Sequence, residues 1–251
     1  MASQRMESED PNALSQAQPA APLSEILSPI THVIFDMDGV LLDTEKIYTA
    51  VTQEIVARYG KTFDWSIKSK MVGRPSIESA RHLISTLDLP MSPEDYLEER
   101  EIVFQERMPE AQAMPGAEAL VRALCARGVP VAVASSSHRD MFDLKTTRHQ
   151  AWFGLFDHII LGDDPRIRKG KPAPDIFLLA AAELGAPPAS CLVFEDAPSG
   201  VEAALAAGMW VVGIPDPGLD PDLLAGAHHR VGSLAEIDGE AIGAAVERKG
   251  S

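Results

Sequence analysis

Five short apolar runs recur along this chain of 251 residues, His32 to Phe35, Pro130 to Ala134, His158 to Leu161, Cys191 to Phe194 and Trp210 to Ile214, each bounded by turn or cap residues. Continuous apolar runs of this kind suit strands covered on both faces, and helical patterns separate one run from the next. Strand-helix alternation predicts an α/β protein built on a doubly wound parallel sheet. The helices carry their own punctuation. Pro115-Gly116 opens a segment that stops at Gly128, Pro174-Asp175 opens one that stops at Gly185, and Ala197 to Ala207 is followed by Gly208.

Between the first two runs lie about ninety residues without a convincing strand, far more than a crossover needs. Glu45 to Tyr59, Ser76 to Leu87 and Pro93 to Arg107 show helical spacing, with Ser92-Pro93 as an N-cap and first-turn pair. The expected organisation is a tail over residues 1–28, a Rossmann-like catalytic core over 29–45 and 111–251, and an inserted helical cap over 46–110.

Composition removes several classes of function. With 45% hydrophobic and 24% charged residues the chain has ordinary globular values. A formal charge of −15 repels nucleic acid and anionic membrane surfaces, so a phosphate ligand has to be held by a few local cations or a metal. The two cysteines, Cys125 and Cys191, lie in apolar runs and read as buried thiols of a reducing compartment. No stretch approaches the ~18 apolar residues of a membrane span. The tail mixes Gln, Ser, Pro and Ala with Glu7, Glu9 and Asp10 and lacks a secretory apolar region, which points to the cytoplasm, with organellar targeting as the alternative. A monomer or weak dimer acting on a small-molecule phosphate ester is expected.

In an open parallel sheet the ligand site lies beyond the carboxyl ends of the strands. Asp36-Met37-Asp38-Gly39 follows the first run, Ser135-Ser136-Ser137 the second, Gly162-Asp163-Asp164 and then Gly170-Lys171-Pro172 the third, and Glu195-Asp196 the fourth. Singly, each has a plain explanation: acids at strand ends cap helices, serines make turns, and lysines are usually exposed. Together they bring complementary groups to one edge, in the proportions that phosphoryl transfer needs.

A carboxylate can attack phosphorus only if its repulsion from the phosphate dianion is screened. Magnesium, a hard cation that takes one or two carboxylates along with substrate oxygen, suits Asp36 and Asp196. Lys171, the Ser135 hydroxyl and backbone N–H groups near Met37 and Ser136 can meet the phosphoryl oxygens. Asp38 can protonate the leaving group and later activate water, with Asp36 as the nucleophile.

These four segments resemble the motifs of the haloacid dehalogenase superfamily, in order and spacing, over about residues 30–235. The resemblance implies Asp36 as nucleophile, Asp38 as acid/base, Ser135 and Lys171 on phosphate, and magnesium on the side chains of Asp36 and Asp196 and the backbone carbonyl of Asp38, with Glu195 acting through water. Dehalogenase members lack an acid at the place of Asp38, so phosphate chemistry is favoured. A helical insert between the first two motifs resembles the cap of the subclass that includes phosphoglycolate phosphatases and beta-phosphoglucomutases. Phe142-Asp143-Leu144-Lys145-Thr146-Thr147-Arg148-His149, Leu161-Gly162-Asp163-Asp164-Pro165, Phe63-Asp64-Trp65 and Met114-Pro115-Gly116 look like the pseudouridine-5'-phosphatases of animals and the glycerol-3-phosphatase-like enzymes of plants. Those groups share these features, so either substrate fits. Arg74 occupies the cap stretch that often faces substrate in this subclass.

Among lesser features, Lys145, Arg148 and His149 form a basic cluster at helical spacing that reads as a solvated face or an internal ion pair ahead of a ligand site. Asp163 is a candidate to orient Lys171, Asp43 and Glu45 to fix the hinge between cap and core, and His228-His229 has no assigned role. The expected activity is a magnesium-dependent phosphomonoesterase; a phosphomutase using the same two aspartates, and a non-catalytic binding protein, are the alternatives.

Overall fold

The computed structural model describes residues 27, 29–71, 76–216, 218 and 220–250. The expected tail and Arg74 therefore lie outside the described residues, except that Leu27, counted with the tail, is buried in the core beside Ile30. An apolar side chain this close to the first strand gains more from that pocket than from solvent.

Strands form at all five expected places: β1 His32–Phe35, β2 Val131–Ser135, β3 His158–Leu161, β4 Cys191–Glu195 and β5 Trp210–Gly213. A sixth, β6 His229–Arg230, was not expected; it adds two residues at the edge through pairing with β5. All pairings are parallel, in the order β3-β2-β1-β4-β5-β6. Between β1 and β2 come the helices α1 Thr44–Ala57, α2 Trp65–Lys68, α3 Ser76–Leu87 and α4 Pro93–Arg107. After β1 and its insert, α5 Ala117–Ala126 leads to β2, α6 Arg139–Lys145 and α7 Gln150–Phe153 to β3, α8 Asp175–Glu183 to β4, and α9 Pro198–Ala206 to β5, while α10 Gly239–Gly250 follows β6.

Alternation along the strands sends side chains into two separate cores. Val33, Phe35, Val131, Val133, Leu192 and Phe194 meet α5, α7 and α10 on one face. Ile34, Ala132, Ala134, Cys191 and Val193 meet α8 and α9 on the other. In-register pairing of Val33 with Val131 and with Leu192 keeps each residue type on its own side. Phe35 and Phe194 stack across neighbouring strands with centroids 5.1 Å apart. Full burial of such rings contributes about 2–3 kcal/mol each.

The helices between β1 and β2 have a third core of their own, in which Val51, Ile55, Leu83, Tyr96 and Phe104 are buried. Ser92 caps α4, and Asp95 answers back to the Ser92 amide, completing a capping box ahead of Pro93. The chain leaves the sheet and returns to it along one seam: the Asp43 amide donates to the Gln112 carbonyl at 2.8 Å and the Met114 amide to the Leu41 carbonyl at 2.9 Å. Met141 and Leu144 of α6 pack against this third core, joining it to the sheet layer.

Candidate active site

The strand order changes direction between β1 and β4, and in such a sheet the crevice beyond the carboxyl ends of the strands at that switch point is where ligands bind. Asp36, the first residue after β1, is 6% exposed and is held in register by its amide donating to the Phe194 carbonyl at 3.0 Å. Lys171 Nζ lies 2.5 Å from Asp36 Oδ1 and 2.6 Å from Glu195 Oε1, and donates to the Ala134 carbonyl at 3.2 Å. One ammonium thus joins the ends of β1, β2 and β4.

Two glycines show how tightly the acids are set. A Cβ on Gly39, whose φ is +79°, would fall 2.0 Å from Asp196 Oδ2, and one on Gly200 would fall 1.6 Å from Glu195 Oε1. Glu195 Oε2 accepts from the Ala197 amide at 2.9 Å, so both of its oxygens are engaged.

The electrostatics are those of an acidic site short of positive charge. Burial pushes the Asp36 carboxyl up to about 7, helped by Glu195 and Asp38 and opposed by Lys171. Asp196 is driven well above the ordinary carboxylate range by burial, Glu195 and Asp36. Burial works against the Lys171 charge, but Asp36 and Glu195 outweigh it and hold the ammonium above its usual range.

Asp38 stands in a different setting. Its Oδ1 accepts from Thr44 Oγ1 at 2.7 Å and Lys145 Nζ at 2.7 Å, and its Oδ2 from Ser137 Oγ at 3.0 Å. Burial would raise its carboxyl, yet Lys145 and the three hydrogen bonds hold it below the usual range. Lys145 is therefore an internal ion pair, one of the two readings given to it, and its partner is the candidate acid/base. Ser137 and Thr44 had not been singled out. The segment Ser135-Ser136-Ser137 pointed to the right loop, but nothing in the order of residues pairs positions 38 and 145.

Ser135 is fully buried, and its Oγ accepts from the Ser137 amide at 3.1 Å, so that its own hydroxyl hydrogen is left for another acceptor. Ser136 is exposed on the same turn, with Gly162 pressed against its backbone: a Cβ there would come 2.4 Å from the Ser136 carbonyl oxygen. The expected link from Asp163 to Lys171 is absent. Asp163 Oδ2 accepts instead from the Arg139 amide at 3.0 Å, the start of α6, where an acid satisfies an otherwise unpaired N–H. Asp43 pairs with Lys46, and Glu45 with Lys68 at 3.1 Å, across the first turns of α1 and α2.

Asp36 and Asp196 offer oxygen donors of the kind magnesium prefers, in a place where buried carboxylates outnumber ammonium groups; the donor set fits a hard divalent cation. Among the described residues no three His, Cys, Asp or Glu side chains form a ready-made cage. Magnesium needs none, since it keeps several waters and uses one or two carboxylates.

A sheet of this order with these acids and this lysine beyond its carboxyl edge has the parts of a phosphoryl-transfer hydrolase of the α/β class. The chain belongs to the haloacid dehalogenase-like hydrolase family, whose model matches residues 30–208. It is 49% identical over 219 residues to (DL)-glycerol-3-phosphatase 1, mitochondrial, of Arabidopsis thaliana, covering 85% of this chain and 74% of that protein. It is 45% identical over 223 residues to a Drosophila melanogaster protein named probable pseudouridine-5'-phosphatase, covering 88% of this chain and 96% of that one. Among solved structures, a HAD family hydrolase from Deinococcus radiodurans R1 with bound phosphate and sodium superposes with a TM-score of 0.70 at 32% identity, over 83% of this chain and 93% of the other.

Proposed function

We propose that this chain is a magnesium-dependent phosphomonoesterase that hydrolyses a small phosphorylated metabolite through an aspartyl-phosphate on Asp36. The observation that carries the reading is the Lys171 ammonium, 2.5 Å from Asp36 and 2.6 Å from Glu195 at the switch point of the sheet. It supplies fixed positive charge where phosphoryl oxygens would develop negative charge. Asp36 Oδ attacks phosphorus, and the P–O bond to the leaving group breaks. Asp38 gives that oxygen a proton, then takes one from the water that cleaves the acyl phosphate. Ser135 Oγ and the backbone N–H groups near Met37 and Ser136 orient the phosphoryl group. Held by the side chains of Asp36 and Asp196 and the carbonyl of Asp38, magnesium would neutralise charge between nucleophile and ester.

The helices over 46–110 act as a cap that excludes water and contributes substrate contacts, Arg74 among them. Glycerol 3-phosphate and pseudouridine 5'-phosphate are the substrates we favour, on the strength of the two relatives at 49% and 45% identity. The protein works as a monomer or weak dimer, in the cytoplasm; the mitochondrial glycerol-3-phosphatase makes organellar import the alternative, which a fluorescent fusion of the full chain distinguishes.

The test is a panel of glycerol 3-phosphate, pseudouridine 5'-phosphate, 2-phosphoglycolate and hexose phosphates with magnesium. Release of inorganic phosphate from at least one, lost on chelation and restored by magnesium, is expected. Isomer formation without release would establish a mutase instead. Isothermal titration adds a readout independent of turnover: Asp196→Asn should lose magnesium binding, whereas Asp38→Asn, with its carbonyl intact, should keep it.

A further inference from the structure

Lys145 lies at the C-terminal end of α6, remote from the four segments that carry the proposed chemistry, and its side chain is only 2% exposed. A buried ammonium needs partners, and those of Lys145 are specific: Asp38 Oδ1 at 2.7 Å and Ser137 Oγ at 2.8 Å. Ser137 Oγ in turn donates to Asp38 Oδ2 at 3.0 Å, closing a triangle in which the lysine and the serine each hold one oxygen of the same carboxylate and contact each other. The third partner of Asp38, Thr44, stands at the first residue of α1, where the chain passes into the helical insert. One turn later on that helix, the Tyr48 ring centroid lies 6.0 Å from Lys145 Nζ. Two of the three groups holding Asp38 thus come from the segment between β2 and β3, and the third stands at the start of α1, just before the insert.

A carboxylate restrained at both oxygens has a fixed direction. Thr44 alone could not fix it, because a single bond to one oxygen leaves the carboxyl plane free to turn. Asp38 and Ser137 occupy two of the three donors of Lys145. We propose that Lys145, acting with Ser137, is the positioning residue that aims the Asp38 carboxylate at the reacting oxygen. The inference rests on Asp38 being the acid/base of the proposed phosphatase.

The experiment is a double-mutant cycle on the magnesium-loaded full chain, with p-nitrophenyl phosphate as probe and inorganic phosphate as competitive inhibitor. Lys145→Met, which keeps the length of the stem and removes the charge, should lower kcat roughly tenfold or more while KM and the inhibition constant for phosphate stay within about twofold. In the Asp38→Asn background the same change should cost nothing further, because the group it serves is gone. Ser137→Ala, which buries no new charge, should follow the same pattern more weakly and decides the matter should Lys145→Met not fold. Weakened phosphate inhibition would overturn the proposal in favour of a phosphate-binding lysine. Equal kcat losses with and without Asp38 would overturn it in favour of a structural role. An Asp38→Asn variant as active as the parent would sink the assignment of Asp38 itself, and the positioning role with it.

Discussion

Asp36 and Asp38 are two residues apart and yet sit in opposed environments. Asp36 shares a single ammonium with Glu195 in a buried setting, and Asp38 has a lysine and two hydroxyls to itself. With Asp36 pushed up and Asp38 held down, this division by itself runs against an attacking Asp36 and a proton-donating Asp38. A bound cation lowers Asp36, the part magnesium would play in the proposed reaction. Asp36→Asn should lower phosphate release by about a thousandfold or more in a malachite-green assay, because the amide oxygen is a poor nucleophile. Residual activity near the parent level would remove Asp36 from its role. Gly39→Ala meets two obstacles, a φ of +79° and an Asp196 oxygen 2.0 Å from the new methyl. It should cost about 1–2 kcal/mol in chemical unfolding and weaken magnesium binding in the same variant, as Asp196 is pushed aside. At this scale the sequence was readable where chemistry follows a strand and opaque where it does not. Asp36, Lys171 and Glu195 could be found from their place after apolar runs. Lys145 could not, since its partner is 107 positions away and its short helix gives no hint of which face is covered.

Elements were legible in proportion to their length and burial. The central strands, buried throughout and apolar up to their last residue, declared themselves, and α3 and α4 begin and end where the spacing of apolar residues placed them. The edge strand His229–Arg230 was invisible because two half-buried polar residues carry no apolar pattern. Ser92 offers a clean test of local chemistry. Ser92→Ala removes the acceptor for the Asp95 amide and should lower stability by about 1 kcal/mol, seen as a lower urea midpoint. Since the capping bonds of Ser92 lie within the first turn of α4, kcat at 25 °C should be unchanged. A fall in kcat without a fall in midpoint would contradict this. Asp163 shows the converse: an acid following a strand in the right neighbourhood was given to Lys171, while its local duty, accepting from the Arg139 amide, prevailed.

At the scale of the whole molecule, two cores back to back make the sheet the most protected part of the chain. Cys191, fully buried at the start of β4, has its thiol pushed up to about 11 by burial, whereas Cys125 is half-buried on α5. In the native protein at pH 8 an aromatic disulfide reagent should label Cys125 first, and Cys191 only at the rate of global opening. Labelling of both at one rate would mean that the sheet opens locally.

The seam at Leu41–Asp43 and Gln112–Met114 has its own consequence. Because departure and return lie side by side, a tight turn joining the two would let some seventy residues be cut out, by the few-residue reach of such a connection, and leave every strand in register. A protein so shortened should still fold around its parallel sheet, but its reacting groups would stand open to bulk solvent. If the insert carries recognition, as proposed, that part is separable from the groups of the sheet edge, which stay where the strands put them.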